Sequence, residues 1–98
     1  MKHTVRVRKP AQHDIEDAAR WYESQREGLG SQFLDEIEQA FVKISESPLI
    51  YPEVHRETRR AVLQRFPFGV FFRISGNTVS VVAVMHSSRD PNQWKTRT

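Results

Sequence analysis

The chain has 98 residues, no cysteine, 38% hydrophobic and 28% charged residues. That length suits one domain, residues 1–98, and not two, and without cysteine there are no disulfides, thiolate metal sites or thiol nucleophiles. The net charge of +3 conceals an uneven spread: residues 1–9 hold four cations and no acid, residues 10–49 three cations against nine acids, and residues 50–98 eight cations against three acids. An acidic middle of net −6 is therefore flanked by basic ends of +4 and +5, an asymmetry that bears on partners. The longest nearly unbroken apolar run, Val81 to Met85, is far too short to span a membrane. The first six residues lack the apolar stretch of a signal peptide, so a cytoplasmic address is expected.

Val5 and Val7 alternate with Arg6 and Arg8, the period of a half-buried strand. Pro10 fits the first turn of a helix. Ile15, Ala18, Ala19 and Tyr22 then form one apolar stripe, with Asp14, Glu16 and Asp17 expected near the positive end of the helix dipole. Gly28-Leu29-Gly30 interrupts the pattern. A second helix is predicted from about Ser31, with Phe33, Leu34, Ile37, Phe41 and Ile44 on one side and Ser47-Pro48 ending it. So short a link predicts an antiparallel helical hairpin.

Leu49 to Thr58 reads as a connecting loop, Arg59 to Phe66 as a strand and Pro67-Phe68-Gly69 as a tight turn. Val70, Phe72 and Ile74 alternate through the next strand, and Gly76-Asn77 is a two-residue hairpin signal. Thr78 to His86 is apolar on both alternating sets, which predicts an interior strand covered on both faces. Ser87 to Thr98 suggests an ordered tail. The order β-α-α-β-β-β describes an α+β domain, a helical hairpin packed on one face of a small, mostly antiparallel sheet. The acids then belong to the hairpin, and the strands, connecting loop and tail form a basic side.

Few constellations here carry catalytic chemistry. The four histidines are scattered, with no pair at i, i+4 spacing, so no metal site and no cofactor is expected. Ser87, His86 and Asp90 lie within five residues and do not converge as a triad. Arg59, Arg60, Arg65, Arg73, Arg89 and Arg97 are interleaved with Phe66, Phe68, Phe71, Phe72 and Trp94. That composition suits either a nucleic-acid platform or an interface core. His86, at the end of a hydrophobic strand, is the candidate general acid or base.

Two runs, Arg65-Phe66-Pro67-Phe68-Gly69-Val70-Phe71-Phe72-Arg73 and Val84-Met85-His86-Ser87-Ser88-Arg89-Asp90-Pro91, resemble the ParE/RelE superfamily of bacterial toxins. Ala11-Gln12-His13-Asp14-Ile15, Trp21-Tyr22 and Ser47-Pro48 match as well, so the resemblance covers essentially the whole chain. It implies the toxin of a type II toxin–antitoxin pair, neutralised by a ParD-like antitoxin, a ribbon-helix-helix protein with a disordered acidic or amphipathic C-terminal segment. ParE-type members inhibit DNA gyrase, and RelE-type members cleave messenger RNA on the ribosome. RelE-like ribonucleases commonly place an arginine after the turn between the second and third strands and a tyrosine near the C-terminus. Here those positions hold Gly69 and Trp94, so the resemblance favours ParE, which acts by binding. Arg65, Arg73, His86, Arg89 and Trp94 are the expected target-binding residues. In the ribonuclease alternative, His86 is the acid or base and Arg65, Arg73 and Arg89 neutralise the phosphate. An inactive toxin-like interaction module is the third alternative.

Overall fold

The computed structural model describes residues 2–98, in which two antiparallel helices lie across one face of a five-stranded sheet. In chain order the elements are β1 (Thr4–Val7), α1 (Lys9–Gln25), α2 (Leu29–Glu46), a 3₁₀ turn (Pro48–Ile50), β2 (Glu53–His55), β3 (Thr58–Val62), β4 (Phe68–Ser75), β5 (Thr78–His86) and α3 (Asn92–Lys95). The sheet order is β1-β5-β4-β3-β2, with β1 parallel to β5 and the other neighbours antiparallel. All nine acids of the middle segment fall on the hairpin and its connection.

The core lies between helices and sheet. Phe33, Ile37 and Ile44 of α2 and Ala11 and Ala18 of α1 pack on Val70, Phe72, Val79, Val81 and Val84. Gly30 lets the helices approach closely: a Cβ there would sit 2.7 Å from the Ala19 carbonyl oxygen. The Glu23 carboxylate accepts from the Gly28 and Gly30 amides and closes the connection. The β4–β5 ladder shifts register between Phe71 and Phe72, which face Ala83 and Val81 and leave Val82 as an extra residue. Before the bulge Val79 and Val81 face the helices, and after it Val84 does. Val82, Ala83 and Met85 instead join Phe71 and Trp94 in a second, smaller cluster.

Four sequence expectations shift. The loop over 49–58 contains the short strand β2, whose turn to β3 is made by Arg56 and Glu57 at positive φ (44° and 63°). This is the conformation of a two-residue hairpin turn normally signalled by Asn-Gly or Asp-Gly. The strand expected to reach Phe66 ends at Val62, and the chain reverses over Leu63–Pro67, with the Leu63 amide donating to Phe68 O (2.9 Å). Gly69 lies inside β4 and not in a turn: a Cβ there would meet the Arg60 stem at 3.1 Å and the Phe71 ring at 3.3 Å. Finally, α1 begins at Lys9, so its first turn holds no acid. Asp14 is instead committed to tertiary contacts, accepting from the Val84 amide (3.0 Å) and from Nη1 and Nη2 of Arg97 (2.6 and 3.2 Å). No helix is long and apolar enough to cross a membrane among the described residues.

Candidate functional site

The five residues singled out from the sequence occupy different parts of the molecule. Arg73, on β4, shares the sheet face opposite the helices with Ser80, its cross-strand partner, and reaches Glu57 at 3.5 Å. Trp94, on α3, lies over the same open face with its ring stacked on Phe71 (4.3 Å, 20°). His86 pairs with Phe68 and shares that residue's helix-facing side, its ring edge-on to Phe68 at 5.4 Å. Arg65 stands in the β3–β4 reversal, where its amide donates to Glu36 of α2 (3.1 Å) and its Nε lies 3.7 Å from the same carboxylate. Arg89 lines a cleft of about 270 Å³ with Asp14, Asp17, Trp21, Phe68 and His86. The structure therefore brings Arg73 and Trp94 together, and His86 and Arg89 together, on opposite sides of the sheet.

The aromatic interleaving is mostly core. Phe66, Phe71, Phe72 and Trp94 are buried, so none of them offers a ring face for stacking a base. The cations are different. Arg6 lies opposite Ser80 in the β1–β5 ladder, and Arg73 lies opposite the same serine in the β5–β4 ladder. One row across three strands thus reads Arg6, Ser80, Arg73. Arg60, opposite Phe71, stands exposed in the neighbouring row.

A model of the ParE toxin of type II toxin–antitoxin systems, parDE, matches residues 5–91. The chain belongs to the ParE toxin family. Three solved structures share its fold at low identity. The toxin–antitoxin complex RelBE2 from Mycobacterium tuberculosis is 22% identical, with a TM-score of 0.63 over 88% of this chain and 99% of that one. The chromosomal ParDE system of P. aeruginosa is 14% identical, with 0.66 over 87% and 96%. A mutant of the E. coli toxin RelE in the free state is 15% identical, with 0.69 over 90% and 86%. No curated protein matches by sequence.

In this ParE-family toxin the histidine on the open side is His55, not His86. The His55 ring stands 6.0 Å from Trp94. Burial, with the Lys95 and Arg56 charges adding to it, holds its imidazole below the usual 6.5. Sequence reading missed it because β2 carries no strand signal. His86 is bound up locally: its Nδ1 accepts the Ser88 amide (3.0 Å) and lies 2.8 Å from Ser88 Oγ. In the neutral ring that arrangement leaves the proton on Nε2.

The lowered His55 carries a pH consequence. The unfolded chain takes up a proton near pH 6.5, before the folded one does, so stability falls as the pH drops from about 6.5 through the folded value. Urea midpoints at about pH 7.5 and pH 5 should therefore differ less for His55→Gln than for the parent. An identical pH response in both proteins would remove this role.

Proposed function

We propose that this toxin acts by binding DNA gyrase and that a ParD-like antitoxin neutralises it in the cytoplasm. Membership of the ParE family across residues 5–91 carries the reading. It is supported by a surface whose cations are spread over both sides of the sheet and do not converge on His86. Arg65, Arg73, His86 and Arg89 remain the proposed target-binding residues, while Trp94, buried against Phe71, serves to hold α3 over the open face. In a supercoiling assay, gyrase should leave relaxed plasmid relaxed at excess toxin, and adding the antitoxin should restore supercoiling. Unimpeded gyrase at excess toxin would overturn the reading.

The antitoxin is proposed to be a ribbon-helix-helix protein whose toxin-binding segment carries acids beside apolar anchors. Exposed Trp21, Leu34 and Val42 on the hairpin and Leu49, Ile50 and Val62 near the β3 edge offer apolar ground for such anchors. A second reading, ribosome-dependent cleavage of messenger RNA, draws on one observation. His55, favoured in its neutral form, shares the open side with Arg73 and is suited to act as a general base. Primer extension on translated transcripts after induction tests it, and intact messages would remove it.

A further inference from the structure

We propose that the row Arg6, Ser80 and Arg73, walled at one end by Arg8 and Lys9, is a trough that binds the phosphodiester backbone of a nucleic acid. The register builds it. Neighbouring strands lie about 4.8 Å apart, so the stems of Arg6 and Arg73 rise roughly 10 Å apart with only the short Ser80 side chain between them. Beside this row a cavity of about 460 Å³ opens, lined by Arg6, Val7, Arg8, Lys9, Pro10 and Ser80 and by no acid.

The charges in the trough are unspent. Among the described residues Arg6, Arg8 and Lys9 make no ion pair and are exposed, and the Ser80 hydroxyl makes no hydrogen bond. Arg73 has Glu57 at 3.5 Å, but that carboxylate is 82% exposed. Such a pair is worth little and yields readily to a stronger anion. Two guanidinium forks flanking a hydroxyl donor suit phosphate oxygens, which accept bidentate hydrogen bonds.

An acidic peptide would also be drawn to this charge, but peptide docking is anchored by large apolar side chains. The exposed ones lie elsewhere, at Trp21, Leu34 and Val42 on the hairpin and at Leu49, Ile50 and Val62 near the far sheet edge. A backbone of repeating phosphates needs no such anchor, and its affinity rests on cations alone. The inference goes beyond the gyrase reading and stands without it.

The test is fluorescence anisotropy of the full chain with labelled duplex DNA, single-stranded DNA and RNA of one sequence, over a sodium chloride series. Each phosphate contact contributes about 0.9 to the slope of log K against log salt on duplex DNA. The Arg6→Gln/Arg73→Gln variant should lower affinity and flatten that slope by about 1.8. The charge-keeping Arg6→Lys/Arg73→Lys variant should retain most of the slope. Arg20→Gln, on the hairpin and paired with Asp17, should match the parent. Circular dichroism melts show whether each variant is folded. The proposal is overturned if the parent binds none of the three probes, or if the glutamine variant keeps the parental slope. It also fails if the glutamine variant loses antitoxin affinity while its nucleic-acid binding is unchanged. The supercoiling assay is a separate readout, so gyrase can prove insensitive to the toxin while the trough stands.

Discussion

Phe33→Ala should lower folding stability by about 3–5 kcal/mol, the loss typical of removing a fully buried aromatic ring. Phe33 is 0% exposed and sits where three segments meet. Its ring is 5.4 Å from Tyr22 of α1, 5.3 Å from Phe66 in the β3–β4 reversal and 5.1 Å from Phe68 of β4, the last two edge-to-face. Such pairs add about 0.5–1.5 kcal/mol each beyond area burial, though the terms overlap because one ring serves all three. The cavity left behind is walled by rings held from two helices and the sheet, so it collapses poorly. A domain of this size has roughly 5–15 kcal/mol in total, and the variant should be close to unfolding at physiological temperature. Urea denaturation measures the loss directly. A cost below about 1.5 kcal/mol would show that the cluster repacks and that Phe33 does not hold the hairpin to the sheet.

The second large effect is expected at Asp14, and its asymmetry is the informative part. β1 stops at Val7, opposite Val81, so the rest of β5 has no strand beside it on that edge. Side chains close it. Asp14 accepts from the Val84 amide, and Arg97 donates to Val82 O (3.2 Å) and grips Asp14 with Nη1 and Nη2. Removing the carboxylate leaves the Val84 N–H without an acceptor and a partly buried guanidinium with only Val82 O. Fully buried pairs cost about 3–5 kcal/mol when one partner is lost. The side chains here are 27% and 17% exposed, so about 2–3 kcal/mol is expected for Asp14→Ala. Arg97→Ala should cost less, because Asp14 keeps the Val84 amide. A double-mutant cycle measures the coupling. Equal losses for the two single variants would mean that the amide contact contributes nothing.

These two interactions also set what the functional surface is free to do. The Phe33 cluster fixes the hairpin on one face of the sheet, and the Asp14–Arg97 clamp fixes the tail that carries Trp94 across the other. Arg6, Arg60 and Arg73 are then left standing on a rigid, mostly strand-built surface, where ordering them for a partner requires little rearrangement.

Much of this was legible along the chain. The stripe of Phe33, Ile37 and Ile44 at helical spacing placed α2, and Gly76-Asn77 placed the β4–β5 hairpin, because both signals are local and rest on backbone geometry. The β2–β3 hairpin was not legible, since Arg56 and Glu57 take left-handed conformations that neither residue type announces. Gly69 misled for the opposite reason. A glycine reads as a turn, but this one is required by the Arg60 stem and the Phe71 ring lying across it. The candidate site was only half legible. Arg73 and Trp94 do share a face, whereas His86 lies on the other side, because the bulge at Val82 reverses the alternation of β5 before that residue.

The charge map drawn from the counts holds: the acids of residues 10–49 gather on the hairpin and its connection, a consequence of composition and local periodicity. The family resemblance was equally a property of the sequence, since its motifs are runs of neighbouring residues. What only the tertiary structure decided is which cations stand together. Arg6 and Arg73 are 67 positions apart, and no local rule relates them. They meet across Ser80 because β1 pairs in parallel with β5 while β4 pairs with it antiparallel, and register is set by the packing of whole strands on a common core.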